Sequence, residues 1–217
     1  MHQAQRIITE RSVLALLRGL APCRPLTHHE ALRIAELQAN RLLEHFAVTA
    51  SAVPDEIITE LPRIRAEREH GLPVSGGAHW NGRYWVITLN ADEHPLRQRF
   101  SLMHEFKHIV DHTAKDFLYT DRPTMTAHEQ AERVADYFAA CLLMPKRVVK
   151  RLWGEGHQDI GNLAEMLRVS PAALRYRLDQ LGLTEQRARC DRPTHPYTTR
   201  APSQARSLRP ALTGGSR

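Results

Sequence analysis

Two histidines and a glutamate within five residues are the first candidates for chemistry in this chain. They lie in the segment His104-Glu105-Phe106-Lys107-His108. A helix turns about 100° per residue, so His108 falls about 40° from His104, and Glu105 about 100° from it. Two imidazoles one turn apart can bind one cation, and the glutamate beside them can reach a water on that cation. The segment therefore predicts a zinc site with Glu105 outside the ligand set.

Zinc gives this arrangement a hydrolytic chemistry. Neutral imidazole ligands leave the ion Lewis-acidic, and zinc lowers the pKa of a bound water to about 7. A carboxylate that is not a ligand can take that proton and pass it to a leaving amine. The same pattern also arises by chance, and the 13 histidines of the chain raise that chance. The prediction therefore needs support from a third ligand elsewhere in the sequence.

Two residues are candidates for the third ligand. His112 stands eight residues after His104, which is about 12 Å along a helix axis, whereas zinc–nitrogen bonds are about 2.0–2.1 Å long. We interpret His112 as a substrate-side residue, or one that merely supports the site or is solvated. We prefer Glu132 on a second predicted helix, although a glutamate paired with Arg133 is the alternative. Asp136, one turn later, is then placed to accept the free N–H of a ligand histidine.

Two longer segments resemble the ImmA/IrrE family of metallo-endopeptidases. The family pairs H-E-x-x-H with a downstream helix of the pattern E-x-x-A-[ND]-x-F-A-x-x-L-L-x-P. Residues 99–108 read RFSLMHEFKH and residues 132–145 read ERVADYFAACLLMP. Both motifs are therefore present in the family's order. The resemblance extends over roughly residues 27–183 and is strongest over 80–145.

The resemblance implies one Zn²⁺ per chain, held by His104, His108 and Glu132, with Glu105 as the catalytic base. It also implies a protein substrate. In this family the substrate is typically a helix-turn-helix transcriptional repressor, cut to derepress genes of a mobile element or a stress response. The chain departs from the family at Lys107, where many members carry glycine or another small residue. Its basic tail is a second departure.

Helices packed with a small antiparallel sheet are predicted to position these residues, so the expected fold class is α+β. Capping boxes predict helices over about 27–46 and 127–144. Asn81-Gly82 between aromatic and β-branched residues predicts a β-hairpin. Proline can open the motif helix, which we expect over 95–112. The zinc site then lies between the motif helix and the helix that carries Glu132.

The chain divides into three predicted parts. Residues 1–26 form an N-terminal extension, and residues 27–183 form the zinc metallopeptidase domain. Within that domain, residues 160–183 form a helical pair of helix-turn-helix type. Residues 184–217 form a basic tail, in which seven arginines face two acidic residues. Since the whole chain has a formal charge of +6, most of the excess lies in this tail, and its composition predicts disorder.

The helical pair raises a second reading, a regulator without catalysis whose metal site is structural. Ser170 can cap the second helix and Pro171 can begin it. Arg175, Tyr176 and Arg177 could then face DNA. A pair without a third helix or a strongly basic face is weak support for DNA binding. We expect this surface to dock a protein partner and do not expect direct nucleic-acid binding.

The remaining features concern the compartment and the oxyanion. Three widely spaced cysteines suggest neither a disulfide framework nor a cysteine zinc site. No segment is long and apolar enough to span a membrane. We therefore expect a cytoplasmic protein. Tyr137 is a possible substrate-side residue, and either Tyr137 or Tyr119 could stabilise an oxyanion.

Overall fold

The structure is a computed structural model and describes residues 13–183. Residues 1–12 and the predicted tail, 184–217, lie outside this range. The described range contains nine helices and one three-stranded sheet. No helix among the described residues has the length and hydropathy needed to cross a membrane.

The elements follow one another as a helical start, a sheet and a helical second half. The helices are α1 (Val13–Arg18), α2 (His28–His45), α3 (Glu56–Thr59), α4 (Pro95–Asp111), α5 (Lys115–Leu118), α6 (Ala127–Leu143), α7 (Lys146–Gly154), α8 (Ile160–Leu167) and α9 (Pro171–Gln180). The strands are β1 (Ile64–Glu69), β2 (Gly76–Trp80) and β3 (Trp85–Asn90).

Capping boxes begin two of the long helices, as the sequence predicts. At α2 the Thr27 hydroxyl accepts the Glu30 N–H at 3.2 Å, and the Glu30 carboxylate accepts the Thr27 N–H at 2.8 Å. Thr126 and Glu129 make the same reciprocal pair at α6. Each box satisfies two of the N–H groups that a helix start leaves without a partner.

The sheet is mixed, which corrects the prediction of an antiparallel sheet. β2 and β3 form the predicted antiparallel hairpin, with Trp80 opposite Trp85. β1, however, runs parallel to β3 on its other side. The sequence hides β1 because Ile64 is buried while most of the strand's other residues are charged and exposed. Both β1 and β2 are edge strands of the described sheet.

Three helices and the sheet enclose the core. α4 packs against β2 and β3 on one side and against α6 on the other, and α6 also packs against α2. Phe106 and Phe138 meet in the middle with ring centroids 6.2 Å apart. Ala135 and Ala139 of α6 have no exposed surface. Small residues there let α6 lie close to its neighbours, which brings the polar faces of α4 and α6 together.

The predicted N-terminal extension contributes to the same core. Val13 and Leu17 of α1 are buried in it. The Arg18 guanidinium donates to the carbonyl oxygens of Val110 at 3.0 Å and Ile109 at 2.9 Å. These carbonyl groups belong to the last turn of α4, where a helix supplies no N–H donors for them. Residues 13–18 therefore support the end of the motif helix.

The helical pair α8–α9 is also fixed to the body. Arg99 of α4 donates to the carbonyl oxygens of Leu167 at 3.1 Å and Arg168 at 2.8 Å. Arg177 is only 1% exposed and donates from Nε to the Met144 carbonyl at 3.2 Å. The expectation that Arg177 could face DNA is therefore wrong, because the side chain is used inside the fold.

Candidate metal centre

Three side chains from α4 and α6 converge at one point on the surface. His104 Nε2 lies 3.0 Å from His108 Nε2 and 3.3 Å from a Glu132 carboxylate oxygen. The other Glu132 oxygen lies 3.2 Å from His108 Nε2. One ligand atom from each residue lies within 4.8 Å of the other two. His104, His108 and Glu132 therefore form a potential metal-binding triad.

The spacing of the triad fits a small tetrahedral ion. Ligand atoms about 2.0–2.1 Å from a tetrahedral zinc stand roughly 3.3–3.4 Å apart. The separations within the triad, 3.0–3.3 Å, are close to that value. Two imidazoles and one carboxylate are also a donor set that catalytic zinc uses, with a fourth position left open. The residues present therefore fit a zinc ion.

Asp136 holds the ring of His104 in place. Its Oδ1 lies 2.9 Å from His104 Nδ1, so the opposite nitrogen, Nε2, is directed at the triad. Burial lowers the pKa of His104, but the hydrogen bond and charge of Asp136, with the charges of Glu105 and Glu132, outweigh burial and raise it overall. This is the contact that a histidine ligand needs to present a defined nitrogen to a metal.

Glu105 lies beside the triad and outside it. It is directed towards β2, where a β-carbon at Gly76 would stand 3.5 Å from Glu105 Cγ and 3.1 Å from the Thr88 carbonyl oxygen. Burial raises the pKa of Glu105, the charge of Glu132 raises it further, and His104 opposes both. A carboxylate with a raised pKa is a stronger proton acceptor than an ordinary one. Glycine at position 76 avoids a close approach to the Thr88 carbonyl, whereas the distance to Glu105 would be an ordinary contact.

A cavity of about 820 Å³ opens in front of these residues. One wall is the sheet, through Gly76, Ala78 and Trp85, and another is the segment between α4 and α6. Glu105, His108 and Glu132 all line it. Such a volume is in the range of ligand-binding clefts. The potential metal-binding triad therefore faces a space that can hold a piece of polypeptide.

A family model described as Peptidase_M78, the IrrE N-terminal-like domain, matches residues 64–179 of this chain. The match covers more than half of the sequence and includes both helices of the triad. The chain belongs to this family. The resemblance inferred from the two motifs is thereby confirmed. A comparison with curated proteins gives no match.

A solved structure supports the fold of this IrrE-like domain. It is a Mycobacterium tuberculosis transcriptional regulator, 18% identical in sequence, with a TM-score of 0.50. The match covers 76% of this chain and 54% of the regulator's chain. The chain thus spans about half the length of that protein. At this identity the likeness concerns the fold alone.

The two other predicted site residues of the IrrE-like domain, His112 and Tyr137, differ in position: only His112 lines the cavity. His112 lines the cavity, and its ring packs edge-on against Trp85 with centroids 4.7 Å apart. Tyr137 does not lie on the cavity side that we predicted for it. Its hydroxyl donates to Glu36 of α2 at 3.4 Å, and the Arg177 guanidinium lies 5.6 Å from its ring. At about 100° per residue, Tyr137 is turned away from the face that Asp136 occupies.

A buried ion pair next to the triad is not predicted from the sequence. Lys107 Nζ donates to both carboxylate oxygens of Asp111, at 2.5 and 2.7 Å, and the Tyr119 hydroxyl donates to the same carboxylate at 2.5 Å. Burial lowers the pKa of Lys107 although Asp111 opposes it, and burial with the charge of Asp111 raises the pKa of Tyr119. A Lys–Asp pair four residues apart usually marks a solvated helix face, so the sequence gives no sign of its burial.

Proposed function

We propose that this chain is a zinc-dependent endopeptidase. His104, His108 and Glu132 would hold the zinc, Glu105 would act as the base, and Asp136 would orient His104. The observation that carries the proposal is a carboxylate placed beside the triad and outside its ligand set. A structural metal site needs ligands and has no use for such a neighbour. The family match supports the same class of activity.

The residues divide the work of hydrolysis among them. A bound zinc ion would supply Lewis acidity, which acidifies a water and polarises a peptide carbonyl. Glu105 would accept the proton of that water through its carboxylate and deliver it to the nitrogen of the leaving amine. The hydrogen bond that Asp136 accepts from His104 Nδ1 would keep the ring fixed during these transfers. The carboxylates of Glu105 and Asp136 that would perform these roles both lie beside the triad.

An extended peptide is the substrate form that the cavity favours. β2 is an edge strand of the described sheet and borders the cavity. An extended chain can pair with such an edge through main-chain hydrogen bonds. Gly76 and Ala78 present almost no side chain there, so a peptide could approach the strand closely. Trp85 and His112 would then contact its side chains.

A helix-turn-helix transcriptional repressor is the protein substrate that we propose. The proposal rests on membership of the IrrE-like family and on the two motifs that first suggested it. A repressor acts on DNA, so the reaction would take place in the cytoplasm. We also propose that the helices α8 and α9 are a docking surface for the repressor. Arg99 and Arg177 hold this pair against the body of the domain.

The test uses the purified full chain with one equivalent of zinc. It is incubated with a purified helix-turn-helix repressor from the same organism, and the fragments are identified by mass spectrometry. We expect cleavage at a defined bond, loss of cleavage with dipicolinate and recovery when zinc is restored. Cleavage that continues in the chelator contradicts metal dependence. Stable binding of the repressor without cleavage, with zinc present, supports the regulator reading instead.

A further inference from the structure

A second cavity lies on the other side of the triad, between α4, α6 and the α8–α9 pair. Its volume is about 490 Å³. Along α4 its lining comes from residues 94–100, whereas the cavity described above uses residues 105–112. Along α6 it uses residues 136–144, whereas the first cavity uses residues 127–132. The triad therefore separates two cavities in the same interhelical groove.

The second cavity is within reach of a peptide bound at the triad. Phe100 precedes His104 by one helical turn and Ala140 follows Asp136 by one turn, which is about 6 Å along each axis. Asp136 itself lines the cavity and contacts His104 at 2.9 Å. An extended peptide advances about 3.3–3.6 Å per residue. A side chain one or two residues from a bond held at the triad would therefore arrive here.

The walls of this cavity are mostly apolar. Phe100, Leu143, Met144 and Val169 contribute aliphatic and aromatic surface, and Tyr176 stands at the rim with 66% of its surface exposed. An exposed tyrosine beside an apolar recess is typical of a contact site for another chain. His94, Arg97, Asp136 and Ser170 add polar groups to the lining, but a charged side chain would lose hydration against the apolar walls. A large apolar side chain would gain by burial.

We propose that this cavity binds a leucine, methionine or phenylalanine side chain of the polypeptide cut at the triad, one or two residues from the scissile bond. The inference rests on the proposed endopeptidase function and deepens it, because it assigns a specificity determinant to the site. Because Asp136 both lines this cavity and contacts His104, a chain bound at the triad is the occupant that can place a side chain here.

The binding test observes alanine methyl groups in the full chain with zinc, using protein labelled with carbon-13 at alanine. The probes are N-acetyl-leucinamide, N-acetyl-phenylalaninamide and, as control, N-acetyl-alaninamide. We expect the first two to shift the methyl signals of Ala140 and Ala173, which line the second cavity. Signals of Ala78 and Ala131, which line the first cavity, serve as internal references. Equal responses to all three probes, or none, overturn the proposal.

A filling variant gives the second test. Ala173→Phe places a ring in the cavity, and Arg175→Phe places the same ring at an exposed position of α9 that is not part of its lining. Ala173→Phe should weaken leucinamide binding on the order of 10–100-fold, the loss expected when such a side chain can no longer be buried. Arg175→Phe should bind as wild type does. Equal binding by both variants contradicts the assignment.

Cleavage of a denatured casein digest, read by mass spectrometry, separates this inference from the proposed function. Wild type should prefer a large apolar residue at one fixed distance, one or two residues, from the bond it cuts. Ala173→Phe should prefer a small residue at that same distance. Cleavage without such a preference, and without the methyl shifts, overturns the cavity assignment and leaves the endopeptidase intact. Methyl shifts without any cleavage overturn both the endopeptidase and the assignment of a substrate side chain.

Discussion

The buried ion pair beside the triad makes a quantitative prediction about stability. Lys107 and Asp111 side chains are 2% and 7% exposed. Removing one partner of such a pair leaves a charge without compensation and typically costs about 3–5 kcal/mol. Tyr119 would still donate to Asp111, so Lys107→Met should lower the free energy of unfolding by about 3 kcal/mol, the lower end of that range. For a chain of this size that is a fall of roughly 6–12 °C in Tm.

The same reasoning predicts a rescue. The triple variant Lys107→Met, Asp111→Leu, Tyr119→Phe removes every charged and polar group of the cluster together. Buried ion pairs can often be replaced by apolar residues at little or no cost, so the triple variant should be more stable than Lys107→Met alone. Urea unfolding followed by circular dichroism measures both.

The control for this series is Lys150→Met, which removes an exposed lysine. Exposed substitutions usually change stability by less than about 0.5 kcal/mol. If Lys107→Met also lowers the free energy of unfolding by less than about 1 kcal/mol, then Asp111 does not depend on Lys107 as its buried charge partner. If the triple variant is less stable than Lys107→Met, the cluster stabilises the fold as a unit, and apolar residues cannot replace it at little cost.

Three further predictions concern the ligands and the first long helix. Glu132→Ala should lose most of the bound zinc, whereas His112→Ala should keep it, as measured by metal analysis of the purified variants; the opposite result would transfer the third ligand to His112. Asp136→Asn should weaken zinc binding about tenfold, the lower end of the usual range, because the Asp136 side chain is 61% exposed. Competition with a chromophoric chelator measures this affinity, and an unchanged affinity would show that Asp136 does not support the ligand. Glu30→Gln should lower Tm at pH 7, because hydrogen bonds from Arg24 and from the helix start lower the pKa of Glu30 from 4.5 to about 2. A lowered folded-state pKa stabilises above the unfolded value, so the difference should shrink as the pH falls from about 4.5 towards 2, and a constant difference would contradict it.

Local signals account for what the sequence could predict. Thr27 and Thr126 specify their helix starts through residues three positions away. Asn81-Gly82 favours the connection at 81–84 because Gly82 adopts a φ of 93° and the Asn81 side-chain oxygen accepts the N–H groups of Arg83 and Tyr84. His104 and His108 lie one turn apart on one face of a single helix, so their relative placement follows from helical periodicity alone. Each of these features depends on neighbours in sequence, and the structure contains them.

Long-range contacts account for what the sequence could not predict. β1 is a strand because it pairs with β3, and its charged composition gives no local sign of this pairing. Arg99 and Arg177 are interior residues because carbonyl oxygens 68 and 33 positions away need donors. Lys107 pairs with Asp111 one turn later, and Tyr119, on the next segment, donates to that carboxylate from outside the helix. Charged residues are usually exposed, so the sequence alone favours the wrong environment for all three.

The central claim is that Glu105 transfers the proton in a zinc-dependent cleavage. The most direct measurement compares wild type with Glu105→Gln at equal, verified zinc content, on the same repressor, by the rate at which fragments appear. The variant retains the triad and removes the proton acceptor. We expect both proteins to bind zinc and the repressor equally and the variant to cleave about 10²–10⁴-fold more slowly. Equal rates of cleavage by the two proteins would contradict the account.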